Sequence, residues 1–256
     1  MLFDSHAHLH DAKFRKDRAD VFARAREAGV TRFLTLGDNL RASREAIALA
    51  ETEDGVLAAA GIHPSAAASW DEETARLLEQ LLAHPKVPVL GEIGLDYYWD
   101  KEPATHKRQQ DCFRQQLRIA KRLGKPVSIH SRESNADVLR ILAEEQAGEP
   151  GGVLHCFIGS YEEARRGVDL GFHLGVGGIS TYPKLGDLRE ALSRIGPEHL
   201  LLETDSPYLP PQPRRGRRNE PAYLRQTAEA LADLLSLPLE EMAQIATRNT
   251  ERAFRL

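Results

Sequence analysis

The chain has 256 residues, a net charge of −4, and 41% hydrophobic and 28% charged residues. This length suits one (β/α)₈ barrel, and we expect a single hydrolase domain over 1–256 because no Pro/Gly/Ser-rich linker divides the chain. The mildly acidic balance excludes a strongly basic nucleic-acid-binding scaffold, although it does not exclude an enzyme that acts on DNA.

Short apolar runs alternate with longer amphipathic segments in eight cycles. Strands are predicted at 2–8, 31–37, 56–62, 87–94, 126–130, 152–157, 172–178 and 200–205. Helices are predicted at 18–28, 41–53, 71–83, 106–123, 134–146, 161–170, 185–194, 222–236 and 239–252. Ser69-x-x-Glu72 and Ser160-x-x-Glu163 resemble capping boxes at two helix starts. The eightfold alternation predicts an α/β fold, a (β/α)₈ TIM barrel with a C-terminal extra helix.

The first predicted strand ends in a pair of histidines, His6 and His8. Side chains two residues apart project from the same face of a strand. Both imidazoles can therefore approach one divalent metal ion. This pair alone leaves open that the two histidines belong to an exposed strand end or to the core.

Other predicted strands also carry histidine or carboxylate near the C-terminal end, where a barrel places its chemistry. Burying each of these groups for structure alone would be costly, so together they favour a metal site. They are Glu92, His130, His155 and Asp205. With His6 and His8 they exceed what one metal ion takes while keeping a position for water, so we expect two ions about 3.5–4 Å apart. Some two-metal sites of this kind use a carboxylated lysine as the bridging ligand. No lysine lies at the end of the fourth strand, so Glu92 is the predicted bridging ligand.

Several neighbours of these ligands suit substrate contacts. His63 ends the third strand, where it can bind a phosphate, stabilise the transition state, or be structural. Arg132 follows His130 and can reach an anionic substrate. Arg217 and Arg218 belong to an arginine-rich segment after the eighth strand, for which phosphate contact and a solvated loop are equal alternatives.

Two carboxylates suit a supporting role. Glu203 lies two residues before Asp205, and Asp4 lies two residues before His6. We expect each to orient a ligand from a deeper layer of the barrel. Cys156 adjoins His155 and is expected to point to the opposite face.

The two cysteines, Cys112 and Cys156, provide no disulfide framework. The N-terminus lacks the apolar segment of a signal peptide, and no apolar run approaches the roughly 18 residues of a membrane helix. We therefore expect a cytoplasmic protein with no membrane association and no obligate protein partner.

The chain resembles the TatD family of metal-dependent deoxyribonucleases through motifs that occur in order along almost its whole length. These are Asp-Ser-His-Ala-His-Leu (4–9), Gly-Ile-His-Pro (61–64), Gly-Glu-Ile-Gly-Leu-Asp-Tyr (91–97), Ile-His-Ser-Arg (129–132), Leu-His-Cys-Phe (154–157), Glu-Thr-Asp-Ser-Pro-Tyr-Leu (203–209) and Arg-Asn-Glu-Pro-Ala (218–222). The resemblance implies a two-metal barrel that hydrolyses phosphodiester bonds in DNA. One departure is His10, where relatives usually have aspartate, and we expect it to alter loop or substrate contacts.

The resemblance also implies a ligand assignment and a substrate. One metal is held by His6, His8 and Asp205, the second by His130 and His155, and Glu92 bridges them. The implied activity is that of a 3′–5′ exonuclease on single-stranded DNA. It uses two divalent ions, Mg, Mn or Zn, and we expect Asp205 to accept the proton of the attacking water. D-aminoacyl-tRNA deacylation, cyclic amide or lactone hydrolysis, and a non-catalytic metal-binding scaffold are the alternatives.

Overall fold

The computed structural model describes residues 1–99 and 101–256. Eight strands form one parallel sheet in which each strand pairs with the next in chain order. They are β1 (Leu2–Ala7), β2 (Val30–Leu36), β3 (Val56–Ala60), β4 (Val89–Asp96), β5 (Val127–Arg132), β6 (Gly152–Leu154), β7 (Phe172–Val176) and β8 (Leu200–Leu202).

Helices follow the strands and cover the outside of the sheet. They are α1 (Arg18–Glu27), α2 (Leu40–Thr52), α3 (Glu72–Leu82), α4 (Pro103–Leu123), α5 (Asn135–Glu144), α6 (Tyr161–Asp169), α7 (Gly186–Ile195), α8 (Leu224–Leu235) and α9 (Leu239–Phe254). The predicted TIM-barrel fold with its C-terminal extra helix is confirmed. Among the helices of the described residues, none combines the length and the apolar character that crossing a bilayer requires.

The barrel is completed where β1 meets the segment after β8. The Asp205 amide donates to the His6 carbonyl at 2.9 Å, and the His8 amide donates to the Ser206 carbonyl at 2.7 Å. These two hydrogen bonds place the C-terminal ends of the first and last strands side by side. Residues that are 199 positions apart in the chain therefore meet in one site.

The barrel interior is apolar away from the site. Phe3, Leu34, Val89 and Leu201 belong to one buried cluster that also includes Phe254 of α9. Helix α9 packs against β1, β6, β7 and β8. This packing fills the lower interior of the barrel and leaves the polar groups to the C-terminal ends of the strands.

Element positions agree with the predictions, and the differences lie at the ends. Strands β6 and β8 end earlier than predicted because the backbone leaves the extended region, with positive φ at Cys156 (46°) and Asp205 (56°). The Ser160–Glu163 capping box is confirmed. The prediction of a capping box at Ser69–Glu72 is wrong, since the carboxylate of Asp71 caps α3 by accepting from the Thr74 amide at 2.7 Å.

Candidate metal centre

The six predicted ligands converge at the C-terminal ends of the strands. The described residues include three groups whose possible ligand atoms all lie within 4.8 Å of one another. The groups are His6, His8 and Asp205; His63, Glu92 and His130; and His6, His155 and Glu203. All six predicted ligands belong to at least one group. Most of them line a cavity of about 580 Å³.

Glu92 lies at the centre of the cluster. Its Oε2 atom is 3.6 Å from Nε2 of His6 and 3.6 Å from Nε2 of His8. Its Oε1 atom is 3.0 Å from Nδ1 of His130 and 3.7 Å from Nε2 of His155. The two oxygens of one carboxylate thus face two different pairs of histidines.

Asp205 faces the histidines from the other side of the cavity. Its Oδ1 atom is 3.4 Å from Nε2 of His8, 3.8 Å from Nε2 of His6 and 3.9 Å from Nε2 of His155. Asp205 adopts a positive φ three residues after the end of β8, where the chain is no longer extended.

The histidine rings are held by hydrogen bonds on the far side of each ring. Nδ1 of His8 lies 2.9 Å from the Leu36 carbonyl, which only a protonated nitrogen can satisfy. Nδ1 of His6 lies 3.2 Å from the Ser128 hydroxyl. In both rings this leaves Nε2 directed at the carboxylates, as metal ligation requires.

The donor set fits divalent metal ions. Nε2 of His6 is buried and has no hydrogen-bond partner among the described residues, an expensive arrangement for a polar atom. Metal–ligand bonds to nitrogen and oxygen are about 2.0–2.2 Å, so two donors on one ion lie roughly 3–3.5 Å apart. The His6–Glu92, His8–Glu92 and His8–Asp205 separations of 3.4–3.6 Å are close to this spacing and longer than ordinary hydrogen bonds.

The two carboxylates are ionised. Burial would raise the pKa of Glu92, but the nearby His6 and His63 and the hydrogen bond from His130 outweigh it and hold the pKa well below its usual range. Burial is likewise outweighed at Asp205, whose pKa is lowered by the hydrogen bond from His8 and by neighbouring histidines. Metal binding needs ligands in this deprotonated state.

Glu203 and Asp4 support the cluster in different ways. Glu203 is fully buried, and its Oε1 lies 2.9 Å from Nδ1 of His155. Asp4 is also fully buried but accepts from the Thr204 amide at 2.9 Å and from the Thr204 hydroxyl at 2.6 Å. Asp4 therefore fixes the backbone next to Asp205.

His63 closes one side of the cavity. Its Nδ1 accepts from the Ser65 amide at 3.1 Å, and its Nε2 lies 3.9 Å from Oε1 of Glu92. Burial lowers the pKa of His63 to about 4, so the ring is neutral near pH 7.

Asp96 was not among the predicted site residues. Its Oδ2 lies 3.1 Å from Nε2 of His130, and the residue lines the metal cavity. Asp96 follows Glu92 by four positions on β4, so the same period-two rule that grouped His6 with His8 could have identified it.

Cys156 lines the metal cavity, so the expectation that it faces away is wrong. The period-two rule assumes an extended strand, but β6 ends at Leu154. His10 also lines the cavity, with Nδ1 at 3.2 Å from the Thr35 hydroxyl.

The predicted arginines fall in different places. Arg132 lines the cavity. Arg218 donates to both carboxylate oxygens of Asp17, at 2.8 and 2.6 Å, and lies outside the set of described residues that line the cavity. Arg217 is exposed and is also outside that set.

A parallel eight-stranded barrel with clustered histidines and carboxylates at the C-terminal ends of its strands is typical of metal-dependent hydrolases. Residues 3–255 match the family described as TatD related DNase. The chain belongs to the TatD family, and it is a hydrolase that acts on ester bonds.

The relatives agree with this assignment. An uncharacterized metal-dependent hydrolase, YabD of Bacillus subtilis, is 41% identical over 256 residues and is covered over 100% of both chains. The 3′-5′ ssDNA/RNA exonuclease TatD of Edwardsiella piscicida is 38% identical, also over 100% of both chains. The crystal structure of YJJV, a TatD homolog from Escherichia coli K12, has a TM-score of 0.94 and 33% identity over 100% of this chain and 98% of that one.

Proposed function

We propose that this protein hydrolyses phosphodiester bonds of single-stranded DNA, removing nucleotides from the 3′ end. The observation that carries the proposal is the position of Glu92, whose two oxygens face His6 and His8 on one side and His130 and His155 on the other. This arrangement suits two divalent ions bridged by one carboxylate, a pairing that suits phosphate ester hydrolysis. A nuclease is also what the name of the Edwardsiella piscicida relative states for that protein.

We assign His6, His8 and Asp205 to one ion, His130 and His155 to the other, and Glu92 to both. Magnesium, manganese and zinc are the candidate ions, of which histidine-rich ligation favours manganese and zinc. When bound, the ions supply an activated water and neutralise charge on the phosphate.

Asp205 is the proposed proton acceptor. Its Oδ1 faces three histidine nitrogens at 3.4–3.9 Å, which leaves Oδ2 as the atom to take the proton of the attacking water. The lowered pKa of Asp205 keeps this carboxylate available as a base at neutral pH.

His63 is the proposed donor to the phosphate. Because the Ser65 amide donates to Nδ1, the neutral ring carries its proton on Nε2. That N–H points into the cavity next to Glu92 and can donate to a non-bridging oxygen as its charge grows in the transition state.

The test uses strands labelled at the 5′ end, incubated with metal-reconstituted protein. A 3′–5′ exonuclease shortens the free strand stepwise, and a 3′ terminal block of two phosphorothioate linkages stops it. Internal cuts in the blocked strand would contradict the exonuclease assignment. Release of a D-amino acid from aminoacyl-tRNA without any strand shortening would overturn the nuclease assignment.

A further inference from the structure

One edge of the metal cavity carries exposed aromatic side chains that the metal centre does not use. Tyr98 and Trp99 follow β4 and are 42% and 77% exposed. Trp99 lines the metal cavity, and Tyr98 lines a neighbouring cavity of about 590 Å³. Arg132 and Ile158 line both cavities, so the two spaces adjoin at these residues. We call Tyr98, Trp99, Arg132 and Ile158 the aromatic rim.

The rim also carries a cation, the guanidinium of Arg132. The Arg132 guanidinium carbon lies 3.7 Å from the centre of the Tyr98 ring and 5.3 Å from that of Trp99. No ion pair joins Arg132 to an acidic group within residues 1–99 and 101–256, whereas Arg114 and Arg218 each pair with carboxylates. A positive charge held on an aromatic face beside the cavity suits a polyanionic strand.

The geometry of the rings leaves a stacking surface free. Tyr98 and Trp99 meet edge to face, with ring centres 4.8 Å apart and planes at 87°. Trp99 nevertheless remains 77% exposed, so most of its indole is accessible to a ligand. Ile158 is 49% exposed and adds apolar surface to the same rim. Exposed aromatic and apolar groups next to a catalytic cavity indicate a binding surface.

We propose that the aromatic rim binds nucleobases of a single-stranded nucleic acid and thereby places a phosphodiester against the metal ligands. This inference rests on the proposed nuclease function. Stacking on Trp99 requires a base that is not already stacked in a duplex, so the rim selects single strands. Because every base has an aromatic face, binding at the rim should not depend on the base sequence of the strand.

The test compares two ten-nucleotide strands on the metal-loaded enzyme, an oligothymidylate and an abasic strand of equal length. Trp99→Ala raises the KM for oligothymidylate about tenfold, within the range of alanine substitutions at base-stacking aromatics, and leaves the KM for the abasic strand unchanged. Trp99→Phe restores most of the affinity. Arg132→Ala should raise the KM for both strands, because its charge faces the phosphates. Its control is Arg194→Ala, which should leave both KM values unchanged, since Arg194 lies 3.5 Å from the centre of the Tyr161 ring and outside the cavity.

A second readout does not depend on turnover. The chain has two tryptophans, so Trp70→Phe leaves Trp99 as the only indole. Stacking of a base should quench its fluorescence with oligothymidylate and not with the abasic strand. If no strand is hydrolysed but this quenching occurs, the nuclease proposal is wrong and only base binding at the rim is supported. Hydrolysis with unchanged KM in Trp99→Ala and no quenching overturns the rim alone. Absence of both hydrolysis and quenching overturns both.

Discussion

Oε1 of Glu203 lies 2.9 Å from Nδ1 of His155, while Nε2 of the same ring faces Glu92 at 3.7 Å. A buried carboxylate behind a ligand histidine fixes which nitrogen points to the metal and makes that nitrogen a stronger donor. Losses of such partners typically weaken metal affinity or activity about 10- to 100-fold.

We therefore predict that Glu203→Gln lowers metal affinity or turnover by about 10- to 100-fold without unfolding the barrel. Isothermal titration with zinc and the rate of DNA hydrolysis measure the two effects. The control is Glu162→Gln at the start of α6, away from the site. Wild-type affinity and rate in Glu203→Gln would show that the Glu203–His155 contact is only packing.

The second prediction separates two roles of His63. As a donor to the phosphate, His63 should matter for kcat and not for metal content. His63→Ala is expected to lower kcat by about 10²–10³-fold, as for removal of one oxyanion donor. The number of ions bound per chain, measured by elemental analysis, should stay at the wild-type value. Loss of an ion together with activity would make His63 a ligand instead.

Metal removal should lower the free energy of unfolding, because ions that bind only the folded state stabilise that state. At a free ion concentration 100 times the Kd, one site contributes about 2.7 kcal/mol. For a chain of this size we expect chelation to lower Tm by roughly 5–10 °C per strongly bound ion. Calorimetry with and without chelator measures this difference. An unchanged Tm would contradict binding within the folded barrel.

The pH dependence of stability should include a contribution from His173 in β7. Both ring nitrogens are buried without a hydrogen-bond partner among the described residues, and burial lowers the pKa of His173 to about 4. In the unfolded chain the pKa is about 6.5, so the unfolded state takes up the proton first as the pH falls. Stability is therefore complete above pH 6.5 and is lost progressively between about pH 6.5 and 4, by at most about 3 kcal/mol.

The measurement is the urea midpoint at pH 7.5 and at pH 5 for wild type and His173→Leu. The substitution should reduce the loss between the two values of pH. His84→Gln is the control, since His84 lies at the surface beside Glu51. Equal losses in wild type and His173→Leu would show that His173 is protonated in the folded state.

Much of the fold and site follows from the sequence because the strands have a simple period. His6 lies in β1 and His8 one residue past its end, and Nε2 of each faces Glu92, as their spacing of two residues predicted. The positions at which β6 and β8 end could not be predicted in the same way, since the positive φ of Cys156 and of Asp205 depends on how the chain packs across the barrel. This is why Cys156 enters the cavity against expectation.

Contacts between distant segments are the second feature that could not be predicted from the sequence. The Arg218–Asp17 hydrogen bonds join residues 201 positions apart, and nothing in the local sequence pairs them. Asp4 shows the same limit, because its partner Thr204 is 200 positions away. Spacing along one strand predicts direction, whereas partner choice depends on the closure of the barrel between β1 and the segment after β8.

The two-metal proposal is tested most directly by the number of metal ions bound by wild type and Glu92→Ala, counted by native mass spectrometry after reconstitution. We expect two ions per wild-type chain. In Glu92→Ala we expect at most one ion and no DNA hydrolysis, with the circular dichroism spectrum of the barrel unchanged. One ion per wild-type chain, or two ions and full activity in Glu92→Ala, would contradict it.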